Sequence, residues 1–569
     1  MAFGLARLLA DLLDRQTDAS HDVRIADRGT RYQLTCSPAL ARDAARQLPY
    51  LYCPVKPIRT ATNAGTLPSG IPYLDYETDR DQVRARRAAR DQGADDALPV
   101  PAYWDIERAI HPLSLPGYNS LAITWWALGE EQSDALALLL DLYATTPNDH
   151  AQAIAAWKRL DDAHEWGIRA EATQQQLFNP DRGKGQNKAK ANGLAIGNAK
   201  GFWLTEWLKA IGLYEAGLTQ LARGTTDRKT FVIAPRDLSY AAHRSVMRDF
   251  RDTMASETAI KFDILAAIRY TRALLSHISR DDSLILRLLD RQRPTQLVAG
   301  FETAFYKDLG QATATMNMSF IALPGWVTIT TRDDIALYAH PDQGLLTQLE
   351  WLTQQFDESH GDTHALLRHL RDFVSGGDLA ALFRFTDAFA GYYIRARHQG
   401  RFAYPLTTRL IDRLIMGADN RLSAIPQHPG FQHVANAIRQ SAVIAPYQTQ
   451  AFRQRGGRYP YNARYGLARD LLRRARRRDE FAADLGDFLS DYAAETARVA
   501  ARMRKRQSAF PFPGQRRTVR ASDLDDVLLL MDEYGSETVA HLLIAYGYAR
   551  VPRERGDQDH DAPSEEPDS

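Results

Sequence analysis

Ten arginines crowd into residues 453–478, and five basic groups without an acid occupy residues 182–200. The chemistry such residues suit is that of phosphate. A guanidinium is a planar fork that meets phosphate oxygens in pairs, and each phosphate neutralised releases counterions. From Gln440 to Arg520 there are 18 basic against 7 acidic residues. Helical spacing predicts Arg469, Arg473 and Arg476, with Arg477 beside them, on one face and Leu467, Leu471, Leu472 and Ala475 on another. Tyr459, Tyr461 and Tyr465 are interleaved and offer stacking surfaces. The other segment, FNPDRGKGQNKAKANGLAIGNAKGFW, is too rich in Gly and Asn for a regular element and predicts a long basic loop over 178–200. There Lys184, Lys188 and Lys190 can face phosphates, while Gln186, Asn187 and Asn192 carry the donors and acceptors to touch base edges in a groove. The competing readings are a solvated helix face for the arginines and a flexible linker for the loop.

Candidates for bond-making chemistry are weaker. Ser375-Gly-Gly-Asp378 resembles the turn that holds two cations in polymerase and cyclase palms, yet position 379 is Leu and the flanks read as helices. A glycine ending one helix and an Asp capping the next explains the same letters. His360, His364 and His369 cluster without the Glu of an HExxH site, and His21-Asp22 and His560-Asp561 lack the further ligands of a phosphohydrolase. Gly183-Lys184-Gly185 lacks the spacing of a Walker loop. Cys36 and Cys53 stand seventeen positions apart with no CxxC partner, which excludes a zinc ribbon or redox motif made from them alone. The expectation is therefore no catalytic residue, no metal and no cofactor. The alternative is a metal-dependent nuclease or nucleotidyl cyclase built on the Ser375–Asp378 turn, or an RNA-binding scaffold.

The elements that must position these groups follow from periodicity. The chain has 569 residues, 44% apolar and 25% charged, with 71 basic against 70 acidic side chains. That length suits three or four domains of about 150 residues, and the composition excludes collagen-like, wholly disordered and disulfide-scaffold classes. MAFGLARLLADLLDRQ is interrupted by Arg7, Asp11 and Asp14, so it predicts an amphipathic helix rather than a signal peptide. No apolar run is long enough to span a bilayer, and a reduced, cytoplasmic protein is expected. WLTEWLKAIGLYEAGL predicts a helix, RKTFVIAP a strand, and ATATMNMSFIALP with GWVTITT a strand pair about Pro324-Gly325. From Gly344 the period becomes helical, with Leu366, Leu370, Phe373 and Val374 on one face. Phe481, Leu485, Phe488, Leu489 and Tyr492 predict a long amphipathic helix, extended by Val499 and Met503. Ser522 to Asp525 resembles a capping box, and Gly535 separates two helices of a hairpin. The expected fold class is α+β. Residues 1–343 form a mixed α/β region, 344–420 a helical connecting segment, 421–550 an all-α helical bundle, and 551–569 a disordered acidic tail with 7 acidic against 2 basic residues.

Four blocks in order carry a resemblance. They are GKGQNKAKANGLAIGNAKGFWLTEWLKAIGLYEAG with DRKTFVIAP, then FVSGGDLAALFRFTDAFAGYYIRAR, then YNARYGLARDLLRRARRRDEFAADLGDFLSDYAAETAR, and finally MDEYGSETVAHLLIAYGYAR. Over residues 175–550 this series resembles the large subunit of type I CRISPR effector complexes (Cascade). The resemblance implies a non-catalytic DNA-binding subunit of a guide-RNA surveillance complex in antiviral defence. Its N-terminal part would read the protospacer-adjacent motif on duplex DNA, and its C-terminal bundle, similar to the Cascade small subunit, would lie along the displaced strand of the R-loop. The implied partners are backbone and handle-binding subunits that carry the guide RNA, target double-stranded DNA and a helicase-nuclease effector; no membrane is implied. Base pairing with the guide would then supply sequence specificity.

Overall fold

A computed structural model describes residues 1–41, 43–47, 56–61, 63–65, 67, 70, 72–91, 115–145, 150–173, 200–310, 313–506 and 516–552. The chain is α+β and divides into two units, residues 1–323 with 329–335, and residues 324–328 with 336 onward. The basic loop expected over 178–200, apart from Lys200, and nearly all of the acidic tail lie outside the described residues.

The first unit begins with α1 (Ala2–Gln16), β1 (Asp22–Asp27), β2 (Tyr32–Ser37), β3 (Ile58–Arg59), β4 (Leu74–Asp75), α2 (Tyr76–Asp91), α3 (Leu115–Trp126), α4 (Gln132–Thr145) and α5 (His150–His164). It continues with β5 (Glu171–Thr173), β6 (Lys200–Phe202), α6 (Trp203–Ala216), β7 (Gly217–Leu221), β8 (Arg228–Pro235), β9 (Asp237–Ser239), α7 (Tyr240–Thr253), α8 (Ala259–Ile278), α9 (Asp282–Arg291), β10 (Val298–Asp308) and β11 (Thr313–Ala322). The antiparallel sheet β11-β10-β8-β7 forms the centre, and β2-β1-β9 makes a second sheet. Phe301 of β10 meets Phe231 of β8, Phe250 of α7 and Tyr270 of α8 with ring centroids 5.4–5.7 Å apart, which defines the core. Trp207 of α6 stacks on Trp125 at 3.9 Å and Trp203 meets Trp157 edge to face at 4.9 Å, so these rings are core anchors.

Residues 325–331 are not the strand expected from GWVTITT. Trp326, Val327 and Ile329 are buried in a loop, so the apolar alternation reflects burial without pairing. The partner of β11 is β10 instead, whose Gly300 and Glu302 dilute its β-pattern.

α1 lies against α6 at very close range, because a Cβ on Gly4 would sit 2.1 Å from the Leu208 carbonyl oxygen. Beneath this crossing His243 is wholly buried. Its Nε2–H donates to the Glu215 carbonyl at 3.1 Å and its ring lies 4.3 Å from Phe3.

The second unit carries α10 (Arg332–Ala339, whose first turn belongs to the first unit), α11 (Leu345–Gln354), α12 (Gly361–Gly376), α13 (Leu379–His398), α14 (Thr408–Ala418), α15 (Pro429–Arg439), α16 (Ala445–Gln454), α17 (Leu467–Leu472), α18 (Arg478–Arg506), α19 (Ala521–Tyr534) and α20 (Ser536–Tyr548). α20 is its axis. Val539, Ala540 and every residue from Leu542 to Tyr548 are buried, as befits a helix packed on all sides by α13, α15, α17 and α19. Because α13 packs on α20, residues 344–420 and 421–550 lie in one unit. α12 buries Leu366, Leu370, Phe373 and Val374 and ends at Gly377, whose φ of 66° favours glycine. The α19 cap stands two residues earlier than the Ser522 box expected. Arg520 is the N-cap, and its N–H donates to the Asp523 carboxylate at 2.8 Å. Among the described residues no helix is long and apolar enough to cross a membrane.

Burial holds the His243 pKa down at about 3. An unfolded chain takes up this proton near pH ~6.5, whereas the native imidazole stays neutral. The native state therefore loses stability as pH falls through this window, by about 1.4 kcal/mol per pH unit until about pH 3. Chemical denaturation at about pH 7 and about pH 5 should show a loss of about 2 kcal/mol that His243→Gln abolishes; equal losses in both proteins would show that His243 titrates alike in both states.

Candidate nucleic-acid interface

The arginine run does not form one helical stripe. α17 stops at Leu472, and a turn closed by Ala475 N–H to the Leu472 carbonyl (3.2 Å) and Arg477 N–H to the Arg474 carbonyl (2.9 Å) leads into α18. Arginine is a good helix former, so nothing local ends the helix; the turn is held by Ala475, buried, whose carbonyl accepts from the Ser536 hydroxyl at 2.7 Å. Arg469, Arg473, Arg476 and Arg477 all reach solvent but are unequal. Arg476 pairs with Glu537 at 2.9 Å and Arg477 with Glu480 at 2.8 Å. Arg469 lies 3.9 Å from Asp470, while Arg473 has no ionic partner among the described residues. Arg474 joins Asp484 at 3.1 Å and Arg478 joins Asp532. Exposed pairs of this kind are worth about 0–1 kcal/mol, so an incoming phosphate can replace the carboxylate.

The freest cations stand earlier in the chain. α16 ends at Gln454, Gly456 turns the backbone, and Arg453, Arg455 and Arg458 are exposed with no ion pair among the described residues. The opposite side of this loop is anchored. Gly457 N–H donates to the Phe452 carbonyl at 2.7 Å, Arg464 N–H to the Ser441 carbonyl at 3.0 Å, and Asn462 N–H to the Glu495 carboxylate. Arg516, buried, donates to the other Glu495 oxygen at 2.8 Å and lies 3.7 Å from the Tyr461 ring centroid and 5.0 Å from that of Tyr492. The tyrosines are thus not a stacking platform. Tyr459 is buried beside Phe452, Tyr461 is half-buried under Arg516, and of the three only Tyr465 is exposed.

A sequence signal for the loop exists. No Asp or Glu occurs between Asp419 and Asp470, so Arg453, Arg455 and Arg458 have no carboxylate nearby in the chain, whereas the arginines after Asp470 are interleaved with acids. Lys184, Gln186, Asn187, Lys188, Lys190 and Asn192 lie outside the described residues.

The catalytic candidates are occupied structurally. The Asp378 carboxylate accepts from Ala380 N–H at 2.9 Å, capping α13, and also lies 3.4 Å from Arg384. His360 is the N-cap of α12, 3.3 Å from Asp357. His21 pairs with Asp14 at 3.1 Å, while Asp22 accepts from the Ser239 hydroxyl at 2.6 Å. Among the described residues no group of three His, Cys, Asp or Glu is placed to hold a metal ion. No protein-family model, curated protein or solved structure matches the chain.

Glu495 is the hinge of the loop's anchorage. Glu495→Ala leaves the Arg516 charge buried without its partner and should cost about 3–5 kcal/mol in chemical denaturation, most of which Glu495→Ala combined with Arg516→Met should recover. Equal losses in the single and double variants would mean that the pair is not what holds the loop.

Proposed function

We propose that this chain is a non-catalytic nucleic-acid-binding protein acting as the large subunit of a type I CRISPR guide-RNA complex. In that role it binds double-stranded target DNA, reads the protospacer-adjacent motif, stabilises the R-loop and helps recruit a helicase-nuclease. The observation that carries the reading is the exposed arginine set on the helical second unit: Arg453, Arg455, Arg458 and Arg473 without ionic partners among the described residues, together with the weakly held pairs of Arg469, Arg476 and Arg477. Exposed guanidinium groups on a helical unit suit a strand whose sequence is read elsewhere, since they contact backbone phosphate and not bases. The order of the four sequence blocks supports the particular complex. Lys184, Gln186, Asn187, Lys188, Lys190 and Asn192 are the proposed motif readers.

Two measurements test this. Replacing Arg453, Arg455 and Arg458 together by Gln should lower the slope of log affinity against log salt on single-stranded DNA by about 2, at about 0.7 per lost phosphate contact. An unchanged slope sinks the bundle assignment. Native purification of the full chain, followed by RNA sequencing and mass spectrometry, should recover a guide RNA with repeated backbone subunits; recovery free of RNA refutes membership of such a complex.

A further inference from the structure

Outside the bundle, the first unit gathers arginines that are far apart in sequence around one carboxylate. β1 and β9 are antiparallel neighbours, with Arg24 opposite Ser239 and Ala26 opposite Asp237. Arg24 grips both oxygens of Asp237 through Nε and Nη2. From α9, Arg287 Nη2 reaches one of these oxygens at 3.3 Å and Arg291 Nη2 the other at 3.2 Å. Asp237 is 14% exposed, against 37% for Arg24, 23% for Arg287 and 45% for Arg291, so the anion sits beneath and the cations face outward.

The stoichiometry is not that of a structural ion pair. One carboxylate neutralises one of three guanidinium groups, and Arg287 and Arg291, one turn apart on the same helix, repel each other. A carboxylate accepts about four hydrogen bonds while three guanidiniums bring about fifteen N–H groups, so most donors have no use within the cluster. Further cations neighbour its residues along the chain and sheet. Asp27 N–H donates to the Arg236 carbonyl at 2.8 Å, which sets the β1–β2 turn with exposed Arg28 and Arg31 beside exposed Arg236. Exposed Arg293 stands two residues past the end of α9. The neighbouring acids are engaged: Asp27 accepts from Gly29 N–H, Asp22 from Ser239, Asp282 pairs with Arg332, and Asp290 lies 3.9 Å from Arg291.

We propose that the Arg24–Arg287–Arg291 cluster is a separate phosphodiester-binding site. It takes the backbone of a nucleic acid, with half-buried Asp237 holding the three forks in place. Phosphate oxygens accept the donors that Asp237 leaves over, in paired geometry. The site does not depend on the bundle arginines.

Fluorescence anisotropy of the full chain with single-stranded RNA, single-stranded DNA and duplex DNA of one sequence tests it. Arg287→Gln with Arg291→Gln should weaken binding about ten-fold and lower the salt slope by about 1.5 to 2 in the arm whose backbone occupies the site, and the arm most affected identifies that backbone. The Lys/Lys counterpart should recover the slope. Arg291→Gln alone, at a largely exposed position, should still lower it by about 0.7 to 0.9 should the double variant fail to fold. Unchanged slopes in all three arms with the fold intact overturn the proposal. Arg455→Gln with Arg458→Gln, run alongside, separates the two readings: loss there alone removes this site and leaves the bundle, and loss in the α9 variants alone does the reverse.

Discussion

Arg516 carries a charge that water does not reach, its side chain being 1% exposed. Removing a guanidinium from solvent is expensive, and it persists only where oxygen acceptors and polarisable faces replace the lost hydration. Glu495 supplies one oxygen, and the rings of Tyr461 and Tyr492 cover the flat faces. Burial in turn pushes the Tyr492 phenol up to about 12, and its hydroxyl donates to the Arg517 carbonyl at 3.2 Å. The second Glu495 oxygen takes Asn462 N–H. A single buried charge thus ties together three stretches of chain: the loop after α16, the middle of α18 and the approach to α19. The arginines of that loop reach solvent while Tyr459 and Tyr461 are spent on the inside.

What sequence could reveal of this divides along the range of the interactions. Local patterns were legible. The α12 face, the Gly377 stop with its Asp378 cap, the long α18 face and the break at Gly535 depend on residues within a few positions of each other, so spacing and cap chemistry suffice. The end of α17 was not, since the run from Arg469 to Arg478 contains no helix breaker and the turn is imposed by Ser536, sixty-one residues away. β10 was missed for a related reason: it is a central strand, and Gly300 within it is tolerated because Ala322 of β11 lies directly opposite. The same logic misled the reading of the tyrosines. Interleaving with arginine looks alike whether the rings face a base or a buried guanidinium.

The two arginine surfaces arise by opposite routes. In the second unit the positive excess comes from absence, because about fifty residues pass without an acid and the cations within them have nothing local to meet. In the first it comes from convergence, because Arg24, Arg287 and Arg291 meet one carboxylate 213, 50 and 54 residues away from them. Local composition detects the former and is blind to the latter, while the chain-wide near-equality of 71 basic and 70 acidic groups conceals both.

The routes also differ in what they do for a ligand. Arg453, Arg455 and Arg458 project from an anchored loop with free side chains, so binding must order each of them, at about 0.5–1.5 kcal/mol per side chain. Arg24, Arg287 and Arg291 are already held by Asp237, and that ordering is complete before any phosphate arrives. Loose cations attract a strand over roughly a Debye length of 8–10 Å and tolerate its changing path. A clamped cluster admits a phosphate in one place and one orientation. The two kinds of cation therefore ask different things of a polyanion, a loosely defined path in the one case and a defined phosphate position in the other.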